Sequence, residues 1–97
     1  MDLLPKELQI NLPKLYECED MPTNKMMLRI RFYDAMSTWE WYLIEFEPET
    51  NIAFGYVCGF EKEWGYFSLD ELSGIASIKR DTSFQPIMFE EWRKSCD

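Results

Sequence analysis

The chain has no histidine. That removes the side chain that most often serves as a general base near neutral pH or as a metal ligand. Cysteine is scarce and odd in number: Cys18, Cys58 and Cys96. No pair has C-x-x-C spacing, so neither a disulfide framework nor a zinc knuckle is indicated. Long apolar runs are missing too. A stretch such as Trp41 to Ile44 falls far short of the roughly 20 residues needed to span a bilayer. The opening, MDLLPKELQINLPKL, is charged throughout and lacks the apolar core of a secretory signal. A cytoplasmic location with reduced thiols is expected, without a membrane partner. The four glycines, Gly55, Gly59, Gly65 and Gly74, are too dispersed for a phosphate-binding loop. Bases are nearly absent where acids are dense. From Asp34 to Glu71 nine acids meet one base, Lys62, and this segment alone accounts for the net charge of −8. Coulomb repulsion disfavours direct nucleic-acid binding there, whereas a basic protein surface would be attracted.

What is present is bulk. Ninety-seven residues make one compact domain, 1–97, and the four Trp, five Tyr and seven Phe can fill its core with few residues. Leu4, Leu8 and Leu12 recur at helical spacing, so residues 3–12 are predicted as a short helix stopped by Pro13. Residues 14–24 lack periodicity and read as a loop. KMMLRIRFY alternates as a half-buried strand. TWEWYLIEFE is a second strand, apolar on both faces in its middle. PETN is a turn with Asn51 suited to a left-handed conformation. IAFGYVCG is a third strand, with Gly55 marking a bulge or close backbone approach. WGYFSL is a fourth. Ser68 and Glu71 have capping-box spacing for a short helix ending near Gly74. IASIKRDTSFQP holds a last extended piece, and IMFEEWRKSC a C-terminal helix with Phe89, Trp92 and Cys96 on one side. The expected class is α+β: a four- to five-stranded antiparallel meander sheet with short N-terminal, middle and C-terminal helices.

Candidate chemistry is thin. Cys58 has apolar neighbours and no local base to activate it, so it reads as structural, while Cys18 and Cys96 lie in polar segments and read as exposed. Glu45 and Glu47 share parity on the second strand, and Glu61 and Glu63 lie in or beside the next turn. A carboxylate pair could serve acid–base or cation chemistry. No D-x-D-x-D-G loop accompanies them, and a solvated or partner-facing surface is the stronger reading. Lys79, Arg80 and Asp81 lie together, and the stronger reading is Arg80–Asp81 pairing with neighbouring structure rather than a nuclease motif. The rings are interleaved with acids, unlike base-stacking rings on a basic groove. Core packing accounts for most of them. The rest suit an Arg-rich patch through cation–π contacts and ion pairs.

From LLPKEL and LPKL, through Trp39, Tyr42, Glu45 and PET, to FGYVCG, GYFSLDEL, Arg80–Asp81 and Phe84, the chain resembles the domain-of-unknown-function 2958 family. Lys79 departs from the Glu more usual before Arg-Asp in that pattern. The resemblance implies a compact α+β domain and a genomic setting in bacteria, plasmids, conjugative elements and phages, often among genes that oppose host defence. It implies no activity, catalytic residue or cofactor. The expected function is therefore a non-enzymatic protein-binding module, such as an anti-CRISPR-like inhibitor docking on a basic host defence nuclease. In that reading Glu45, Glu47, Glu49, Glu61 and Glu63 supply the field, and Trp41 or Trp64 a buried anchor. A small carboxylate-based or metal-dependent enzyme and an oligomerisation module are the alternatives.

Overall fold

The computed structural model describes residues 3–96, and of Cys96 only the backbone, so the expected exposure of its thiol lies outside the described side chains. In chain order the elements are α1 (Lys6–Gln9), β1 (Met27–Leu28), β2 (Ile30–Asp34), β3 (Glu40–Glu47), β4 (Ile52–Cys58), β5 (Lys62–Ser68), α2 (Leu69–Ser73), β6 (Ile78–Arg80), β7 (Ile87–Met88) and α3 (Phe89–Cys96). Five strands form an antiparallel sheet in the order β5-β4-β3-β2-β6, and β1 pairs separately with β7. The expected α+β architecture is present, with three short α-helices among the described residues. The sheet is a meander from β2 to β5, after which the chain returns over α2 to place β6 beside β2.

Both faces of the sheet are covered. The first carries Phe32, Trp41, Leu43, Phe46, Ala53 and Phe67, against Leu3 and Leu4 and against Leu69 and Leu72 of α2. The second carries Tyr42, Ile44 and Cys58, against Leu28 of β1 and Phe89 and Trp92 of α3. Two-sided burial is why WYLI lacks alternation: Trp41 and Leu43 go one way, Tyr42 and Ile44 the other. Cys58 is buried in the second core, in keeping with a structural role.

Strand β3 contains a bulge. Leu43 opposes Gly55 and Glu45 opposes Phe54, so two steps on β3 match one on β4 and Ile44 is the extra residue. Because side chains alternate, one inserted residue reverses the facing of everything after it. Phe46 therefore joins Trp41 and Leu43 in the first core, and Glu45 turns to the second face. Gly55 permits this geometry, since a Cβ there would collide with the Tyr42 carbonyl oxygen.

The local signals behave as their chemistry requires. Asn51 adopts φ 56° at the β3–β4 turn, and its side-chain amide donates to Asp70 at 2.9 Å. The Ser68 hydroxyl accepts the Glu71 N–H at 3.2 Å and opens α2, which ends before Gly74. Two expectations are corrected. The predicted helix over 3–12 is a single turn, Lys6–Gln9, with Leu8 39% exposed; so short a helix has little stability of its own. The predicted strand over 25–33 breaks at Arg29, whose N–H donates to Leu43 O while β1 leaves the sheet to pair with β7. Arg80 and Asp81 do pair with neighbouring structure: Asp81 with Arg31 at 3.0 Å, while Arg80 donates to Leu3 O at 2.9 Å and ties the N-terminal segment to β6. Among the described residues no helix is long and apolar enough to cross a membrane.

Candidate functional site

The second face turns polar where the bulge aims Glu45. This carboxylate is 4% exposed. Its Oε1 accepts the Tyr16 N–H at 3.1 Å and its Oε2 accepts the Cys18 N–H at 2.7 Å. No cation lies within ion-pair distance of it among the described residues. Glu45 thus clamps the loop of residues 14–20 onto the sheet from 29 and 27 residues away. The clamped loop holds Tyr16 at φ 71°, a left-handed conformation that costs a non-glycine residue about 1 kcal/mol or more. Supplying two amide acceptors is what offsets that strain.

The clamp presents an aromatic corner. Tyr16 and Tyr66 approach to 6.4 Å between ring centroids at 57°, and Phe54 meets Tyr66 at 5.1 Å and again 57°. These rings wall a cavity of about 220 Å³ with Glu45 and Glu19 among its lining residues. Cys18 and Met26 complete it. Tyr16 and Tyr66 remain 62% and 56% exposed, so the corner opens to solvent. Glu45 and Glu19 bring negative charge to the cavity, opposed at Cys18 by Arg29. The hydrogen-bonding Tyr16 hydroxyl, partial desolvation and the charges of Glu45 and Glu19 together hold the Tyr66 phenol above its ordinary value. Burial and then Glu45 push up the Cys18 thiol as well, against the opposing field of Arg29. Cys18 is half-buried and the rise keeps it a thiol, correcting its expected exposure.

The sequence-predicted residues divide. Glu45 is an internal clamp and not a solvated acid. Trp41 is buried in the first core beside Trp39, 5.8 Å between centroids, so it is no free anchor. Trp64 is half-buried, stacked on Phe54 at 6.2 Å and packed on Phe89 at 4.7 Å. Glu47 lies on the same face as Glu45, as their parity indicated. Glu49 is exposed in the β3–β4 turn, where it lines a cleft of about 550 Å³ that also contains Lys6 and Asp70. Glu61 and Glu63 are exposed at the opposite end of the strands. Glu47 aligns with Ile52 and Glu63 with Val57, five residues along β4, roughly 17 Å at ~3.3 Å per residue. That exceeds the screening length of about 8–10 Å in physiological salt. The acids therefore form two patches instead of one continuous surface.

Each patch has its own exposed ring. At the β4–β5 turn Phe60 is 95% exposed, held edge-on by Trp39 at 5.3 Å, and followed by Glu61 and Glu63. On the second face Tyr16 and Tyr66, the latter opposite Phe54 in mid-strand, sit with Glu17, Glu19 and Asp20 of the loop. Phe60, Tyr16, Tyr66 and the loop acids were not singled out in the sequence. The string LYECED, an aromatic among acids in an aperiodic loop, was the available signal for part of this set.

The described ion pairs lie elsewhere. Arg31 contacts Glu40 at 2.7 Å and Asp81 at 3.0 Å, and the Tyr42 hydroxyl donates to Glu40 at 2.8 Å. This knot is satisfied internally. Burial opposes the Arg31 charge, but its bonds to Glu40 and Tyr42 outweigh that and keep it above its ordinary value. Among the described residues no three acidic or thiol side chains converge as a metal site would need. No protein-family model, curated protein or solved structure matches the chain.

Proposed function

We propose that this chain is a non-enzymatic protein-binding module of a mobile genetic element or phage, acting in the host cytoplasm as an anti-defence inhibitor. Its acidic patches dock on a basic nucleic-acid-binding surface and exclude DNA or RNA by charge competition. One observation carries the reading: exposed rings stand beside acids that have no cationic partner among the described residues, Tyr16 and Tyr66 beside Glu17 and Glu19, and Phe60 beside Glu61 and Glu63. Isolated exposed acids would be ordinary solubilising charges. An exposed aromatic adds a desolvated anchor, and the surrounding charge adds steering and selectivity for a basic partner. The mobile-element setting comes from the sequence resemblance alone.

The test is displacement. Bacterial defence nucleases loaded with fluorescent DNA are titrated with the chain at low and high salt. A susceptible nuclease should release DNA, with an apparent affinity that falls steeply as salt rises. Reversing Glu17, Glu19, Glu61 and Glu63 to Lys, all surface positions, should abolish release while the melting curve stays cooperative. A folded quadruple variant that releases DNA as well as the parent would refute the docking reading.

A further inference from the structure

From the geometry of the aromatic corner we infer that the Tyr16–Phe54–Tyr66 cavity is a receptor for a single guanidinium group, an arginine side chain of the docked partner. This deepens the docking reading and rests on it for the source of the arginine. Three features select this chemistry. The first is shape: rings inclined at 57° to one another give a cation two aromatic faces in one cavity. The second is charge. Glu45 brings a buried carboxylate with no ion-pair partner, and its two amide bonds use only part of the roughly four acceptor positions of a carboxylate. Glu19 adds a second, exposed carboxylate to the lining of the same cavity. The third is size. About 220 Å³ is below the ~300–1,000 Å³ typical of small-molecule pockets and suits one side-chain head.

Among organic cations the acceptors decide. A quaternary ammonium has no N–H to give Glu45, Glu19 or the tyrosine hydroxyls. A lysine ammonium has three donors, but its compact charge is strongly hydrated and does not stack. A guanidinium is planar, carries five donors, stacks on rings and is more weakly hydrated.

The experiment titrates the full chain with N-acetyl-arginine amide and follows the aromatic NMR signals of Tyr16, Phe54 and Tyr66. N-acetyl-citrulline amide, its neutral isostere, is the control, and N-acetyl-lysine amide and choline are the competing cations. Saturable shifts confined to those three rings are expected with the arginine probe, weaker ones with lysine and choline, and none with citrulline. Tyr66→Ala should weaken binding by roughly 2- to 30-fold, the range of one cation–π contact. Tyr66→Phe, which keeps the ring on an exposed position, should retain most of it. Glu19→Gln should weaken it without moving the melting temperature. No saturable shift by roughly 50 mM probe, a range far weaker than 1 mM affinity, overturns the assignment, as does equal binding of citrulline or tighter binding of choline. The two readings fail separately. DNA displacement that survives Tyr66→Ala unchanged overturns the arginine receptor and leaves docking intact. Arginine capture by a chain that displaces no nucleic acid overturns docking and leaves the receptor.

Discussion

Glu45→Ala should be among the more damaging single changes at a charged position. The carboxylate makes two charge-assisted bonds to backbone amides, at 3.1 and 2.7 Å. Bonds of this kind are worth about 1.5–3 kcal/mol each. Removal frees the Tyr16 and Cys18 amides, and it removes the offset to the left-handed backbone at Tyr16. Two effects reduce the loss: the loop amides can reach water once released, and a buried charge no longer has to be desolvated. The net cost is about 2–4 kcal/mol, or roughly 8–32 °C in melting temperature at ~4–8 °C per kcal/mol for a domain of this size. Glu45→Gln keeps the shape and one acceptor but sets an NH₂ against an amide donor, and should fall between. Thermal melts give the magnitude, and amide hydrogen exchange gives the location: the Tyr16 and Cys18 amides should lose protection first. A Glu45→Ala variant that melts within about 1 kcal/mol of the parent, with those amides still protected, would show that the clamp is not what holds the loop.

Gly55→Ala should abolish folding or cost more than about 4 kcal/mol, because its Cβ meets backbone at Tyr42 and not a movable side chain; circular dichroism on the purified variant decides it. The same methyl at Gly65, which has open space around it, should be nearly silent. Tyr42 makes a pH-dependent contribution. Burial and then its bond to Glu40 push its phenol up to about 12, while an unfolded tyrosine ionises near 10. The folded value is the higher one, so this contribution is complete below about pH 10 and is lost as pH rises through about 12. The stability gap between the parent and Tyr42→Phe should shrink across that window in urea titrations, and a constant gap would contradict the assignment.

The local elements were legible because their signals are local. Ser68 three residues before Glu71, Asn51 in a turn and Gly55 in a strand each require a particular backbone, and each backbone was found. The non-local features were hidden. Pairing of Met27 with Met88 joins segments about sixty residues apart, and nothing in KMMLRIRFY marks the break at Arg29. The bulge at Ile44 leaves no residue signature on β3, yet it decides that Phe46 enters the first core and Glu45 the second face. The candidate site suffered most. Its loop is aperiodic, its floor comes from β3 and its walls from β4 and β5, so only the folded chain assembles it. Counting acids located the charge correctly along the sequence but could not reveal that Glu45 is internal or that Glu47 and Glu63 lie at different ends of the sheet.

The most direct measurement is a hydrogen-exchange footprint of the chain bound to a basic partner recovered from the displacement experiments. Protection gained over residues 15–20 and 60–68 is the expected result, since both ring-and-acid patches lie there. Protection confined to the β2–β6 edge, with those two segments exchanging as in the free chain, would contradict it.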